Sequence, residues 1–235
     1  SKKQARIDQK ILTSYMAKDN IKDDFSAWDW QYYSEKRRQN EHELNELEIK
    51  PYFGLDQMIA AAFYCANKLF DLSFTPIDLP LYHKDCRAWE VSRKNKTIGL
   101  FIGDYFARPS KRSGAWCSAF QSQAKFPTEQ KPIVLNVCNF AKGSPSLLSF
   151  DDAQTLFHEF GHALHQLLSN VTYEPLSGTS VSRDFVELPS QLYEHWLTVS
   201  DVLKKFALHY ETKIPISDDL IERIIGASNY DSGFQ

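Results

Sequence analysis

The chain has 235 residues, 27 of them basic and 30 acidic, for a formal charge of −3. With 43% hydrophobic and 24% charged residues and only 9 Gly and 10 Pro, collagenous, low-complexity and largely disordered readings fail and a packed core is expected. The charge balance lacks the Lys/Arg excess of a phosphate-backbone binder, so nucleic acid is not an expected partner; nor is a membrane, since the longest apolar run, Met58–Ala66, is about half of the roughly 18 residues that a span needs.

In chain order, Lys2–Lys18 and Ala27–Leu47 place apolar or aromatic residues every three or four positions among charged helix formers. That pattern predicts two amphipathic scaffold helices. Asp56–Phe70 is apolar on most sides and predicts a buried helix entered through Pro51 and Gly54, after which Pro76 and Pro80 break the chain. From Arg87 to Tyr105 the residues alternate and favour β-structure, with Arg93-Lys94-Asn95-Lys96 as a polar turn between Ala88–Val91 and Thr97–Ile102; a hairpin is the simplest account. Arg108–Gly114 reads as a basic loop and Pro132–Val137 as a further short strand. Beyond Gly143-Ser144-Pro145, helical texture returns at Ser149 and continues with interruptions to the end.

The expected fold class is therefore mainly α with a small β-sheet, α+β, in a single piece. Residues 1–80 would form a helical scaffold, 87–140 the small sheet and loops, and 149–235 a second set of helices. The chain opens Ser-Lys-Lys-Gln without a Met and closes on Asn229–Gln235 without an obvious terminating element; both read as a piece of a longer protein. No charged-then-apolar leader is visible. Cys65, Cys86, Cys117 and Cys138 lack the two-residue spacing of structural zinc or redox sites and read as buried thiols of a reducing compartment, hence a cytoplasmic location.

The chemistry concentrates in Asp151–Leu168. Its apolar positions 153, 156, 157, 160, 163, 164, 167 and 168 follow helical spacing, and Ser149 with Asp152 makes a capping box. On this helix His158 and His162 lie one turn apart, so their imidazoles can converge on one metal ion at the roughly 2.0–2.1 Å of a zinc–nitrogen bond. Glu159 follows the first histidine about 100° further round, poorly aligned as a third ligand but well placed for a metal-activated water, as a general base. With 7 His in the chain, a chance His-Glu-x-x-His arises in on the order of one such chain in a hundred. His165, seven positions after His158, cannot easily reach the same ion and is expected to be structural.

A catalytic zinc keeps three protein ligands, so one must come from elsewhere. Downstream candidates are Glu174, Asp184, Glu187 and Glu194. Glu174 lies beside Pro175 in an apparent loop, whereas Arg183–Trp196 reads as a second helix that can pack on the first and hold a ligand more rigidly. Glu187 and Glu194 share a face of that helix, and spacing does not choose between them. Arg108, Lys111 and Arg112 could receive a substrate carboxylate, although a charged loop is more commonly just solvated; no residue is assigned to substrate binding.

Phe157-His158-Glu159-Phe160-Gly161-His162-Ala163-Leu164-His165, Leu176-Ser177-Gly178-Thr179, Arg183-Asp184-Phe185-Val186-Glu187-Leu188-Pro189-Ser190-Gln191 and Glu194-His195-Trp196 together resemble the thimet-oligopeptidase family of zinc metallopeptidases, most closely its bacterial-type peptidyl-dipeptidases. Gly99–Phe101, Ala107–Pro109, Ser113–Trp116 and Asn136–Phe140 fit the same family. The resemblance implies a zincin-like metallopeptidase catalytic core, here incomplete. It assigns His158, His162 and Glu187 as ligands of one Zn²⁺ and Glu159 as the base, with short peptides as substrates and C-terminal dipeptides as products. Glu194 then becomes a neighbour that pairs with a base or faces water, and Asp184 a helix cap. Cobalt or manganese would also suit two imidazoles and a carboxylate. Family members extend further at both ends and carry later His and Tyr side chains that stabilise the oxyanion; nothing before Gln235 matches them. Because losing one such donor typically costs about 10²–10³ in turnover, the chain alone is expected to be nearly inactive, and a zinc- and peptide-binding piece without turnover is the alternative reading.

Overall fold

The computed structural model describes residues 2–19, 21, 24–42 and 46–228. The closing stretch, residues 229–235, and residues 43–45 of the helix expected at Ala27–Leu47 lie outside the described residues. The elements run α1 (Lys2–Lys18), α2 (Asp29–His42), α3 (Glu46–Ile49), α4 (Leu55–Phe70), β1 (Leu72–Ile77), β2 (Arg87–Arg93), β3 (Lys96–Phe106), β4 (Trp116–Gln121), β5 (Ile133–Phe140), α5 (Phe150–Leu167), α6 (Arg183–Val186), α7 (Leu188–Glu194), α8 (Ser200–Phe206) and α9 (Asp218–Ser228). This is helix with one small mixed sheet. No helix among the described residues is long and apolar enough to cross a membrane.

The chain divides into two compact units, residues 1–49 with 217–235, and residues 50–216. In the first, α1 packs against α2 and α2 against α9. Leu12, Met16 and Tyr33 form a small buried cluster with Tyr15, Phe25 and Trp30 against it, and Lys36 ties to Asp19 at 2.5 Å. Thus α9, late in the sequence, joins the N-terminal helices.

The second unit holds a five-stranded sheet in the order β1-β2-β3-β5-β4. The β1–β2, β2–β3 and β4–β5 pairs are antiparallel, and β3–β5 is parallel. The hairpin expected around Arg93–Lys96 is β2–β3, with Lys94 and Asn95 at positive φ in its turn. Two strands, β1 and β4, are not predicted by the sequence pattern. Pro76 sits inside β1, which an edge strand tolerates because a missing N–H there breaks no ladder; β4 is the opposite edge and carries little apolar alternation, its Ser118, Ala119 and Phe120 being exposed.

Period-two alternation gives the central strands two buried faces. On one, Ala88, Ile102, Leu135 and Val137 cluster with Trp116 and Ile133. The other receives α4 and α5 through stacked and edge-on rings: Phe63 lies 4.0 Å from Phe74, and Phe101 lies 5.2 Å from Phe160 of α5. Helix α4 begins at Gly54 as the sequence predicts, and α5 begins in the expected capping box, with the Ser149 hydroxyl accepting from the Asp152 amide and the Asp152 carboxylate accepting from the Ser149 amide. All four cysteines are free; Cys65 and Cys138 are buried, whereas Cys86 and Cys117 are only half-buried.

The basic loop proves to be structural. Arg108 grips Asp104 with two hydrogen bonds of 2.7 and 2.6 Å. Lys111, 3% exposed, lies 2.8 Å from the same carboxylate and donates to the carbonyls of Asp104, Phe106 and Cys138. Arg112 lies over the Trp116 ring. Arg108 and Lys111 are committed inside the fold, which removes them as receivers of a substrate carboxylate. Burial disfavours the Asp104 charge, but Arg108, Lys111 and the Tyr82 hydroxyl overcome it and hold the carboxyl at about 2.

Replacing Asp104 by Asn leaves the buried Lys111 and the partly buried Arg108 short of their counter-charge and is expected to cost about 3 kcal/mol in chemical denaturation near neutral pH. The folded-state value lies below the unfolded one of about 3.9, so the contribution is complete above that pH and is lost as pH falls through about 2. The gap between Asp104→Asn and the wild-type chain should narrow over that window; a constant gap would assign it to packing instead.

Candidate metal centre

Helix α5 presents Gln154, His158 and His162 at successive turns, with Glu159 and Gly161 between the histidines. Its neighbour is α7. The predicted single helix Arg183–Trp196 is instead two helices and a 3-10 turn, α6, α7 and His195–Thr198, interrupted at Glu187. Pro189 explains the break: it has no N–H to continue a helix from α6 but suits the first turn of a new one. Glu187 therefore caps the N-terminal end of α7, at φ −84° and ψ −11°, and its backbone carbonyl accepts from Ser190 Oγ and the Gln191 amide.

The two helices meet at Gly161. A Cβ there would lie 2.7 Å from Ser190 Cα, 2.8 Å from the Pro189 carbonyl oxygen and 2.9 Å from Tyr193 Cβ. Only glycine admits this approach. Tyr193 then packs on Phe160 and reaches α4, its hydroxyl donating to the Ala62 carbonyl at 2.7 Å.

That contact sets Glu187 opposite the histidine pair. Glu187 Oε2 is 3.1 Å from His158 Nε2 and 3.1 Å from His162 Nε2, and the three groups' ligand atoms lie within 4.8 Å of one another. Tetrahedral bonds of about 2.0–2.1 Å separate ligands by about 3.3–3.4 Å, so two imidazole nitrogens and a carboxylate oxygen at this spacing fit a divalent cation. Among the described residues no other His/Cys/Asp/Glu group is so arranged. Glu194, the last residue of α7, lies on the far side of His158, with Oε1 2.5 Å from Nδ1, and its Oε2 accepts from Gln154 Nε2 at 2.6 Å.

The other candidates fall away from this point. Glu174 is exposed in the turn Glu174–Leu176, and Asp184 is exposed in the first turn of α6, where the cap is Ser182 rather than Asp184. His165 faces Phe185 edge-on at 6.1 Å. Gly178 adopts φ +55° against Gln166, whose amide also donates to Cys117 Sγ.

Electrostatics divide the site. Glu159 is 6% exposed, and its Oε2 has no hydrogen-bond partner among the described residues. Burial, with the Glu187 charge adding to it, pushes this carboxyl up to about 7. Glu187 is held below its ordinary value: burial opposes its charge, but the Ser190 hydroxyl and both imidazoles outweigh that. The Glu194 hydrogen bond raises His158, whereas burial lowers His162. A carboxyl near 7 beside a cation site can take and return a proton at neutral pH.

Two features here escape sequence reasoning: the role of Gly161, and the chain Gln154–Glu194–His158. The one-turn spacing of Gln154 and His158 is a usable signal; Gly161 gives none without knowledge of what packs on it.

Residues 2–235 match peptidase family M3. The chain is 43% identical over 219 residues to the dipeptidyl carboxypeptidase of Escherichia coli (strain K12), covering 90% of this chain and 32% of that protein. It is 34% identical over 216 residues to oligopeptidase A of the same organism and 35% over 222 residues to the thimet-like oligopeptidase of Dictyostelium discoideum, each covering 88% of this chain and 32% of the relative. The chain thus spans about a third of the length of the curated relatives it matches.

Gly161→Ala adds a methyl group where backbone already stands. The clash, about 1–3 kcal/mol for overpacking, should exceed the gain of about 1 kcal/mol in helix propensity. Denaturation should read a net loss of stability, and a divalent-cation titration a weakened site; a variant as stable as wild type would reject this account of the helix contact.

Proposed function

This chain belongs to peptidase family M3, and on that premise we propose that it is the metal-binding part of a zinc metallopeptidase that hydrolyses short oligopeptides and releases C-terminal dipeptides. The observation that carries the reading is the convergence of His158, His162 and Glu187 next to a buried Glu159 whose Oε2 has no partner among the described residues. His158 Nε2, His162 Nε2 and Glu187 Oε2 would hold one Zn²⁺. When bound, the ion supplies Lewis acidity to the scissile carbonyl and to the attacking water.

The remaining steps belong to the chain's own groups. Glu159 accepts the proton of the attacking water on its carboxylate and returns it to the leaving amine. In the metal-free chain burial pushes this carboxyl up to about 7, which favours its holding the proton between the two transfers. The Ser190 hydroxyl, 2.9 Å from both the Glu187 carbonyl and its Oε2, shares its hydrogen between them and helps keep that oxygen turned toward the imidazoles. Dipeptide release is supported by the identity to dipeptidyl carboxypeptidase, which exceeds that to the oligopeptidases quoted. A cytoplasmic location belongs to the same reading, supported by the four free thiols.

A second reading, zinc and peptide binding without turnover in this chain alone, is favoured by its covering about a third of those relatives. Elemental analysis should find one zinc per chain, weakened or lost in Glu187→Gln and retained in Glu159→Gln. A quenched fluorescent peptide should be cleaved by a longer chain that contains this one, and about 10²–10⁴-fold more slowly once Glu159→Gln is introduced there. Cleavage by the 235-residue chain itself would sink the second reading; no stoichiometric metal in wild type would sink both.

A further inference from the structure

The two histidines that face Glu187 are not held alike. His162 is 9% exposed; its Nε2 lies 3.1 Å from Glu187 Oε2, but its Nδ1 has no hydrogen-bond partner among the described residues, so the back of that ring is held by packing alone. His158 is fixed at both nitrogens. Its Nε2 lies 3.1 Å from Glu187 Oε2, and its Nδ1 lies 2.5 Å from Glu194 Oε1. Glu194 is in turn immobilised, since its second oxygen accepts from Gln154 Nε2 at 2.6 Å. Gln154 and His158 stand one turn apart on α5, and Glu187 and Glu194 stand at the two ends of α7.

From this geometry we infer that Glu194 is a positioning residue for the metal site, held by Gln154, which keeps the His158 proton on Nδ1 and its lone pair on Nε2 facing Glu187. An ionised carboxylate only accepts, and of the two that face the neutral imidazole Glu194 is the nearer, 2.5 Å from Nδ1 against 3.1 Å from Nε2 to Glu187, so the hydrogen sits on Nδ1 and Nε2 keeps the lone pair. That atom is the one turned to Glu187. A carboxylate behind a ligating imidazole also makes the ring more basic and fixes its plane; loss of such partners typically costs about 10–100-fold in metal affinity. Among the described residues His162 has no carboxylate behind its Nδ1, so only His158 is supported from that side. Glu194 touches no reacting atom and acts through His158.

The inference rests on the metal reading proposed for His158, His162 and Glu187, and the test separates the two. Zinc affinity is measured on the 235-residue chain by competition with a chromophoric chelator for wild type, Glu194→Ala, Glu194→Gln, Gln154→Ala and Glu187→Ala. Thermal unfolding of each metal-free chain accompanies it. Glu194→Ala should bind zinc about 10–100-fold more weakly. Glu194→Gln, whose amide oxygen can still accept from Nδ1, should lie between Ala and wild type, and Gln154→Ala should show a smaller loss. Nitrogen-15 NMR of the metal-free wild type, above the titration of its imidazoles and with His158 assigned by its loss in His158→Asn, should find the proton on Nδ1. Zinc affinity unchanged in Glu194→Ala while Glu187→Ala loses the metal would overturn the inference and leave the metal reading standing, as would a wild-type His158 protonated on Nε2 even if the Glu194 variants fail to fold. A wild type that holds no zinc but keeps the proton on Nδ1 would do the opposite: the positioning stands and the metal reading falls.

Discussion

Everything at the candidate centre depends on how closely α5 and α7 approach at Gly161. Two imidazoles on one helix are a common consequence of spacing; a carboxylate held 3.1 Å from both requires a second helix at backbone contact. The missing side chain at Gly161 provides that, because Ser190 Cα and the Pro189 carbonyl occupy the space a Cβ would take. Tyr193 extends the arrangement by packing on Phe160 and bonding to the α4 backbone, which ties the α5–α7 pair to the aromatic layer beneath the sheet. Packing thus sets the ligand distances before any ion contributes to them.

Two buried carboxylates illustrate how neighbours decide chemistry in this fold. Asp104 is surrounded by Arg108, Lys111 and Tyr82 and stays charged down to about 2; Glu159, equally withdrawn from water but with no donor on its Oε2, is pushed up to about 7. Burial acts in the same direction on both. The number of donors separates a group that cements β3 to its following loop from one available to exchange a proton.

Much of this is legible in the chain. His158 and His162, the capping box at Ser149, the Arg93–Lys96 turn and the helix at Gly54 all follow from short-range patterns that tertiary structure does not override. Strand β1 is hidden by Pro76, which only its edge position excuses, and β4 by a run whose outward residues are Ser118, Ala119 and an exposed Phe120. The break at Glu187 is written in Pro189 but masked by helix-favouring residues on either side. Spacing alone leaves Glu187 and Glu194 level because both do face His158, from opposite sides. The resemblance to a peptidase family chooses between them, and coordinates are needed to find where the other one points.

Helix α7 has seven residues, about half the length at which an isolated helix becomes even marginally stable in water. Its order is borrowed from α5 and α4. Motions that lift it away need not disturb the sheet or the long helices, and they would carry off Glu187 and Glu194 together. A local opening of α7 would therefore remove one whole side of the candidate ligand sphere at once, so slow amide exchange along the sheet would not by itself report the integrity of the site.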